Sequence, residues 1–353
     1  MYQQYAILPQ TKESLSHILK HYSLFVNDRK QRGLAEQPMI VGVSGCQGSG
    51  KTTLCDTLTY LLKQEPYQLR VVNFSLDDVY LTHQEQLALA QRYPENKLYQ
   101  QRGQAGSHDL TLATETFKAL LMNQPSVSVP VYDKSLFEGQ GDRLPKQDWK
   151  QVRGPFDIVL FEGWMLGFRS VEEKTLEAMY RSRQTLQSVR LDDLKVMNEH
   201  LKRYETELYP YLDLFIHLSP LDIQQVYQWR LEQEHHMKMT RGVTGLSDEA
   251  VKQFVNTYMP AYELYLPQLN TKSLFEQSDK QGHHLKIILD RERKVVQSEI
   301  LLQTSNTIQK RQTGWINRRY LFVTCCVLMI GIMGYRRPNL FDSVFRVYDK
   351  IKK

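Results

Sequence analysis

The sequence predicts an α/β fold, a mostly parallel sheet covered by helices on both faces, and three observations predict it. Short apolar runs at 39–44, 69–75, 156–161, 214–218 and 285–289 have the composition of strands buried on both sides. Helical stretches at 83–92, 110–122, 190–208, 220–239 and 247–264 alternate with them, the order that builds parallel sheets. A glycine-rich turn joins the first strand directly to a helix over 51–63. At 353 residues the chain is long enough for one large domain or two ordinary ones.

Taken in order, the first element is a helix over 12–32. Leu15, Ile18, Leu19, Tyr22, Phe25 and Val26 recur at helical spacing and the pattern ends before Gly33. Residues 1–36 thus form a helical segment, which either packs on the sheet or mediates association. Residues 37–300 form the α/β domain, and 301–353 a basic tail. A hydrophobic content of 41% with 24% charged residues excludes disordered, collagen-like and polytopic membrane classes. Cys46, Cys55, Cys325 and Cys326 make neither a disulfide framework nor a C-x-x-C zinc spacing, which points to a reducing compartment. The N-terminus lacks the apolar core of a secretory signal.

The net charge of +6 belongs to the tail. From Arg311 onward nine basic residues face only Asp342 and Asp349, a balance of +7, so the first 310 residues carry about −1. The body has no basic footprint for nucleic acid.

The turn Gly45-Cys46-Gln47-Gly48-Ser49-Gly50-Lys51-Thr52, followed by Thr53, fits G-x-x-x-x-G-K-[ST] between a strand and a helix. Glycines let successive N–H groups point inward at phosphate oxygens, and the helix N-terminus adds positive potential. Lys51 is placed to reach the β- and γ-phosphates and Thr52 to ligate Mg²⁺. The fold is therefore expected to be a P-loop NTPase. No Asn-Lys-x-Asp guanine-reading motif is present, since Asn96-Lys97 runs into Leu98-Tyr99, which favours ATP.

A phosphate loop alone does not separate kinases from ATPases. Asp77, Asp78 and Tyr80 follow the second strand, at the end where α/β folds bind ligands. A carboxylate there suits a base for an attacking hydroxyl, while the blander reading is a pair of helix-capping aspartates. Glu162 closes the third strand, fit for the Mg²⁺ shell or for a buried pairing role.

These residues carry a resemblance. Over roughly 38–296 the chain resembles the D-glycerate 3-kinase family of plants and related fungal P-loop kinases, within the wider phosphoribulokinase/uridine kinase group. The motifs are 45–53, Asp77-Asp-Val-Tyr-Leu-Thr82, Arg102-Gly-Gln-Ala-Gly-Ser-His-Asp109, Tyr132-Asp-Lys-Ser135, Gly141-Asp-Arg143 and Glu162-Gly-Trp-Met-Leu-Gly-Phe168. Trp229-Arg-Leu231 and Tyr258-Met-Pro-Ala-Tyr262 follow. Val79 departs from the Phe common in the wider group. The resemblance implies a nucleoside-kinase-like fold and an ATP- and Mg²⁺-dependent transfer to a small alcohol, with D-glycerate as acceptor. It makes Asp77 the base and Glu162 its acidic neighbour at the metal.

An anionic acceptor needs cations and planar donors, which Arg102, His108, Lys134 and Arg143 supply; the plainer alternative pairs Arg102 and Arg143 with Asp109 and Asp142, and lets His108 anchor a loop. The resemblance implies that the segment from Leu221, broken at 241–245, closes over ATP as a lid, with Arg230 as its cation and a solvated helix face as the alternative. Tyr258, Met259 and Tyr262 read as core packing. Within the tail, 320–335 is an uncharged run between Arg318-Arg319 and Arg336-Arg337. Its span of about 24 Å is short of a ~30 Å hydrocarbon core, yet flanking arginines and aromatics suit a membrane anchor with the body in the cytosol. Its rival is an interface helix. Two other functions stay open: a kinase for a nucleoside, pantothenate or sugar phosphate, and a membrane-tethered ATP-binding module without kinase activity.

Overall fold

The computed structural model describes residues 7–241, 245–276 and 278–302. All of these lie in one unit, residues 1–304. Helix α1 (Pro9–Gln31) leads into β1 (Met39–Gly45), the phosphate loop and α2 (Lys51–Lys63). Then come β2 (Val71–Ser75), α3 (His83–Arg92), α4 (Leu110–Leu121) and four short strands. These pair as two ladders, β3 (Ser126–Val129) with β6 (Lys150–Arg153) and β4 (Tyr132–Asp133) with β5 (Asp142–Arg143). After β7 (Ile158–Gly163) follow α5 (Glu173–Ser182), α6 (Leu191–Glu207), β8 (Leu214–Pro220), α7 (Gln225–Arg241), α8 (Asp248–Asn256), α9 (Met259–Leu269), β9 (His284–Leu289) and β10 (Val295–Leu301).

The main sheet has the order β10-β9-β8-β1-β7-β2. Only β10 runs antiparallel. Every residue of β1, β7 and β8 is buried, because alternate side chains enter two different cores. Met39, Val41 and Val43 face Leu54, Leu58 and Leu62 of α2 and Ile18 of α1. Ile40, Phe74, Phe161 and Phe215 face α4, α6 and α9 through Phe117, Leu201 and Tyr262. The amphipathic N-terminal helix thus lies on the α2 side of the sheet.

The structure departs from the expected elements in several places, the four short strands β3–β6 among them. Strand β10 is an exposed edge without a continuous apolar run, and α5 is a short, largely polar helix that buries only Leu176; neither is among the expected elements. The expected helix 247–264 is two helices, broken at Thr257-Tyr258, with Pro260 opening the second. Among the described residues no helix is long and apolar enough to cross a membrane. The expected C-terminal hydrophobic helix at 320–335 lies outside the described residues, as do 242–244 of the expected lid.

Register places the functional segments together. Val43 and Ser75 both sit beside Glu162, so the ends of β1, β2 and β7 reach one edge of the sheet. Parallel strands present their C-terminal ends, and the loops that follow them, on the same side.

Candidate active site

The phosphate loop folds as its glycines allow. Gly48 and Gly50 adopt φ of +74° and +89°, where other residues are strained. A Cβ on Gly48 would stand 2.7 Å from Trp229 Cβ and 2.8 Å from the Trp229 carbonyl oxygen, so α7 closes the back of the loop. The Ser49 N–H donates to Cys46 O at 3.1 Å and the Gln47 N–H to Tyr262 Oη at 3.1 Å. Cys46 is buried, and burial pushes its thiol up to about 12, so it contributes backbone and packing rather than chemistry. Lys51 and Thr52 open α2, where the first amides have no partner within the helix.

Two carboxylates flank this cradle. Thr52 Oγ1 donates to Glu162 Oε1 at 2.7 Å. The other oxygen, Glu162 Oε2, is buried without a partner. Burial raises the Glu162 carboxyl above its ordinary value, against the opposing effects of Lys51 and Thr52. A buried oxygen without a partner beside a threonine hydroxyl is a hard donor set that fits Mg²⁺, which takes one or two carboxylates and fills its shell with phosphate and water. Among the described residues there is no cluster of three or more His, Cys, Asp or Glu that would hold a metal unaided.

Asp77 sits in a 3₁₀ turn, Leu76–Val79, entered through Ser75, whose hydroxyl accepts the Asp77 N–H at 3.1 Å. Its Oδ2 lies 2.5 Å from Lys134 Nζ in the β4–β5 loop. Burial would raise this carboxyl, but the charge and hydrogen bond of Lys134, with Lys51 behind them, hold it down at about 2. Asp77 is therefore ionised under all working conditions. Asp78 points the other way and accepts the Ser75 N–H at 2.8 Å, closing a capping box. Burial, offset by that bond and reinforced by Asp77, pushes its carboxyl up to about 6. Of the two aspartates, the backbone uses Asp78 and leaves Asp77 to the site.

The remaining candidates divide. Arg102 lies 5.5 Å over the Tyr132 ring and donates from Nη1 to Gly139 O at 2.9 Å and to Gln140 O, which ties it to the Lys134 loop rather than to Asp109 or Asp142. Tyr80 is buried, stacked 4.4 Å from His108. Burial drives the His108 imidazole down to about 3, against the pull of Asp77, so it is neutral. Its Nδ1 meets Tyr204 Oη at 2.7 Å. The expectation of a cationic His108 is corrected: the ring offers an uncharged hydrogen bond. Arg143 is corrected too, because its Nη1 reaches Asp109 Oδ2 at 3.1 Å and Tyr80 O at 3.2 Å, and its side chain is only 13% exposed. It braces the turn that presents Asp77. Arg230 pairs with the buried Glu234 at 2.8 Å and lies 5.2 Å over Phe254, so its guanidinium is engaged between α7 and α8 rather than in solvent.

Tyr258 packs in the core, as its sequence reading has it, but its polar tip borders the site. Although buried, it lies close enough to Asp77, Arg102 and Arg230 for their charges to act on its hydroxyl, which burial keeps protonated. That hydroxyl donates to Arg102 O at 3.4 Å. Tyr262, read the same way, holds the phosphate loop through Gln47. The signal was the motif 258–262 itself, since tyrosines bury a ring and keep a polar tip.

The geometry agrees with comparison to known proteins. The Phosphoribulokinase / Uridine kinase family signature matches residues 40–176. The chain is 41% identical over 259 residues to the uncharacterized kinase mug58 of Schizosaccharomyces pombe, spanning 73% of this chain and 90% of that one. It is 38% identical over 246 residues to the chloroplastic D-glycerate 3-kinase of Arabidopsis thaliana, 69% of this chain and 51% of that longer protein. A solved D-glycerate 3-kinase from Cryptococcus neoformans superposes with a TM-score of 0.73 at 36% identity, covering 82% of this chain and 99% of that one. A phosphate loop, an ionised aspartate beside it and relatives of this extent lead to one conclusion: the chain belongs to the phosphoribulokinase/uridine kinase family and is a P-loop kinase that phosphorylates an alcohol.

Proposed function

We propose that this kinase transfers the γ-phosphoryl group of Mg-ATP to a hydroxyl of D-glycerate. The observation that carries the reading is the Asp77–Lys134 pair beside the phosphate loop. It offers a carboxylate for a hydroxyl and a cation for an acid within one small site. The relatives named as D-glycerate 3-kinases support the choice of acceptor. The positive charge of Lys134 and Arg102 favours an anionic acceptor over an uncharged nucleoside.

In this reading the amides of 48–52 and Lys51 bind the phosphates, and Thr52 and Glu162 would hold Mg²⁺, which when bound neutralises charge on the β- and γ-oxygens. Asp77, held at about 2, is a weak base but a strong hydrogen-bond acceptor. It orients the attacking hydroxyl and takes the proton late, as a loose phosphoryl transition state permits. Lys134, with three N–H donors, keeps its bond to Asp77 and offers another to the acceptor carboxylate, with Arg102 and the Tyr258 hydroxyl beside it. Arg230 is proposed as the closing cation only if ATP draws it from Glu234. On sequence alone, the run 320–335 supports a membrane-attached tail; absence of co-sedimentation of the full chain with vesicles would rule that out.

The test is ADP formation by the full chain with D-glycerate, uridine, pantothenate or ribulose 5-phosphate, using Lys51→Ala as blank. Turnover with D-glycerate and a phosphoglycerate product supports the proposal. Turnover with another acceptor alone refutes the substrate, and ATP binding without turnover on any acceptor favours the regulatory module.

A further inference from the structure

The hairpin between β9 and β10 lies behind the phosphate loop and carries an arginine that no motif marked. Its turn is closed by the Asp290 N–H to Lys294 O at 2.9 Å and the Arg293 N–H to Asp290 O at 3.0 Å. The Lys294 N–H donates to Asp290 Oδ1 at 2.8 Å. Arg293 itself adopts φ +62°, a left-handed conformation that costs a non-glycine residue energy and persists only where the surroundings impose it.

From this position the guanidinium points three ways. Nε donates to Gly48 O at 2.7 Å. Nη1 reaches Glu232 Oε2 at 2.7 Å, and Nη2 donates to Trp229 O at 3.4 Å. The guanidinium carbon stands 5.4 Å from the Trp229 ring centre, and Trp229 Nε1 donates back to Arg291 O at 2.7 Å. One side chain thus joins the hairpin, helix α7 and the phosphate loop.

The peptide it holds is the Gly48–Ser49 unit. Its carbonyl is taken by Arg293, and its N–H donates to Cys46 O at 3.1 Å. A peptide is planar, so with both ends engaged it cannot rotate. The amides that follow it, those of Gly50, Lys51 and Thr52, are the ones a phosphate would use. Their direction is inherited from this fixed unit. An apparent affinity falls in proportion to the fraction of molecules that hold the binding-competent form.

We infer that Arg293 is a positioning residue for the nucleotide, keeping the phosphate cradle formed before ATP arrives; this rests on the ATP reading given above. The experiment is titration of the full chain with a non-hydrolysable Mg-ATP analogue, alongside steady-state kinetics and thermal melting. Arg293→Ala is expected to weaken the analogue about tenfold, as loss of one charge-assisted bond implies. It raises KM for ATP in step and leaves KM for the acceptor within about twofold. Arg293→Lys, which keeps one donor in reach of Gly48 O, recovers most of the affinity. Analogue binding by Arg293→Ala within twofold of wild type overturns the inference, and so does an equal rise in both KM values. If Arg293→Ala does not fold, Arg293→Met, which keeps the aliphatic stem and removes every donor, decides: a several-fold loss confined to the nucleotide supports the inference and no loss overturns it. If the wild-type chain binds no analogue, the ATP reading falls and this inference with it; normal wild-type binding with an unaffected variant defeats this inference alone.

Discussion

Replacing Lys134 by methionine keeps the aliphatic stem and removes the charge that holds Asp77 ionised. The ammonium is 2.5 Å from Asp77 Oδ2, and the two side chains are 57% and 26% exposed. Burial pushes the carboxyl up, yet with Lys134 present it settles at about 2 against an ordinary 3.8. A depression of nearly two pKa units favours the ionised form by up to ~2.5 kcal/mol. More than half of Lys134 is in solvent, so screening reduces the pair's contribution to stability to on the order of 1 kcal/mol. The sign follows from the direction of the shift. A depressed carboxyl stabilises the fold above its unfolded value and loses that contribution as pH falls from about 4 to about 2. Lys134→Met should therefore cost about 1 kcal/mol near neutrality in a urea titration, with the difference from wild type closing as the solution is acidified toward pH 2. With the cation gone, burial is opposed less and the Asp77 carboxyl rises. The acid limb of kcat/KM then moves toward neutrality, and KM for an anionic acceptor rises about tenfold or more through loss of a charge-assisted bond. Steady-state kinetics from about pH 5 to 8 measure both. An unmoved acid limb together with an unchanged acceptor KM would show the pair to be an ordinary surface ion pair.

Other expectations are as direct. Asp77→Asn should lower kcat by about 10²–10⁴ while binding of an ATP analogue is retained, and a fall of less than tenfold would remove Asp77 from the chemistry. Gly48→Ala places a methyl 2.7 Å from Trp229 Cβ at φ +74°, so calorimetry should record at least a tenfold loss of nucleotide affinity; unchanged affinity would mean that the loop's observed shape is not the binding one. On the opposite side of the sheet from Asp77, His17 and His21 of α1 pack 4.6 Å apart, and His21 lies 4.3 Å from His283. Burial drives His17 down to about 4 and His21 and His217 to about 3, with neighbouring positive charge adding to the effect. Such groups stabilise the fold above 6.5, and each loses up to about 1.4 kcal/mol per pH unit below it as the unfolded chain takes up protons first. Melting temperature should fall steeply below pH 6.5 and less steeply in His21→Leu; equal slopes would mean that His21 is not kept neutral.

How far the site was legible depended on how far apart its partners lie in sequence. The phosphate loop is a local object, with glycines, lysine and threonine at fixed spacing between a strand and a helix. Lys134 was chosen as a ligand for an acceptor, but its bond to Asp77 joins residues separated by α3, α4 and two short strands. The same holds for Arg143, which matched a motif equally well and turned out to brace Asp109. Two cations in equally good motifs, Lys134 and Arg143, cannot be sorted until the fold shows which carboxylate each one meets.

By itself, the sequence determined the α/β class, the five parallel strands, the phosphate loop and the acidic residues at the strand ends. It could do so because these depend on short-range facts: alternation of side chains across a sheet, glycine's freedom at positive φ, and the parallel order that gathers strand C-termini. Only the tertiary structure decided which polar groups are spent inside the protein and which face the site. Asp78 caps a turn while Asp77 meets Lys134, His108 is neutral because it is buried, and Arg230 is held by Glu234. Tyr258 and Arg293 gained their places from chain segments folded back onto Arg102 and Gly48, which precede them by more than 150 residues. Charge, protonation and hydrogen-bond occupancy belong to an environment, and an environment assembled from distant segments exists only once the chain has folded.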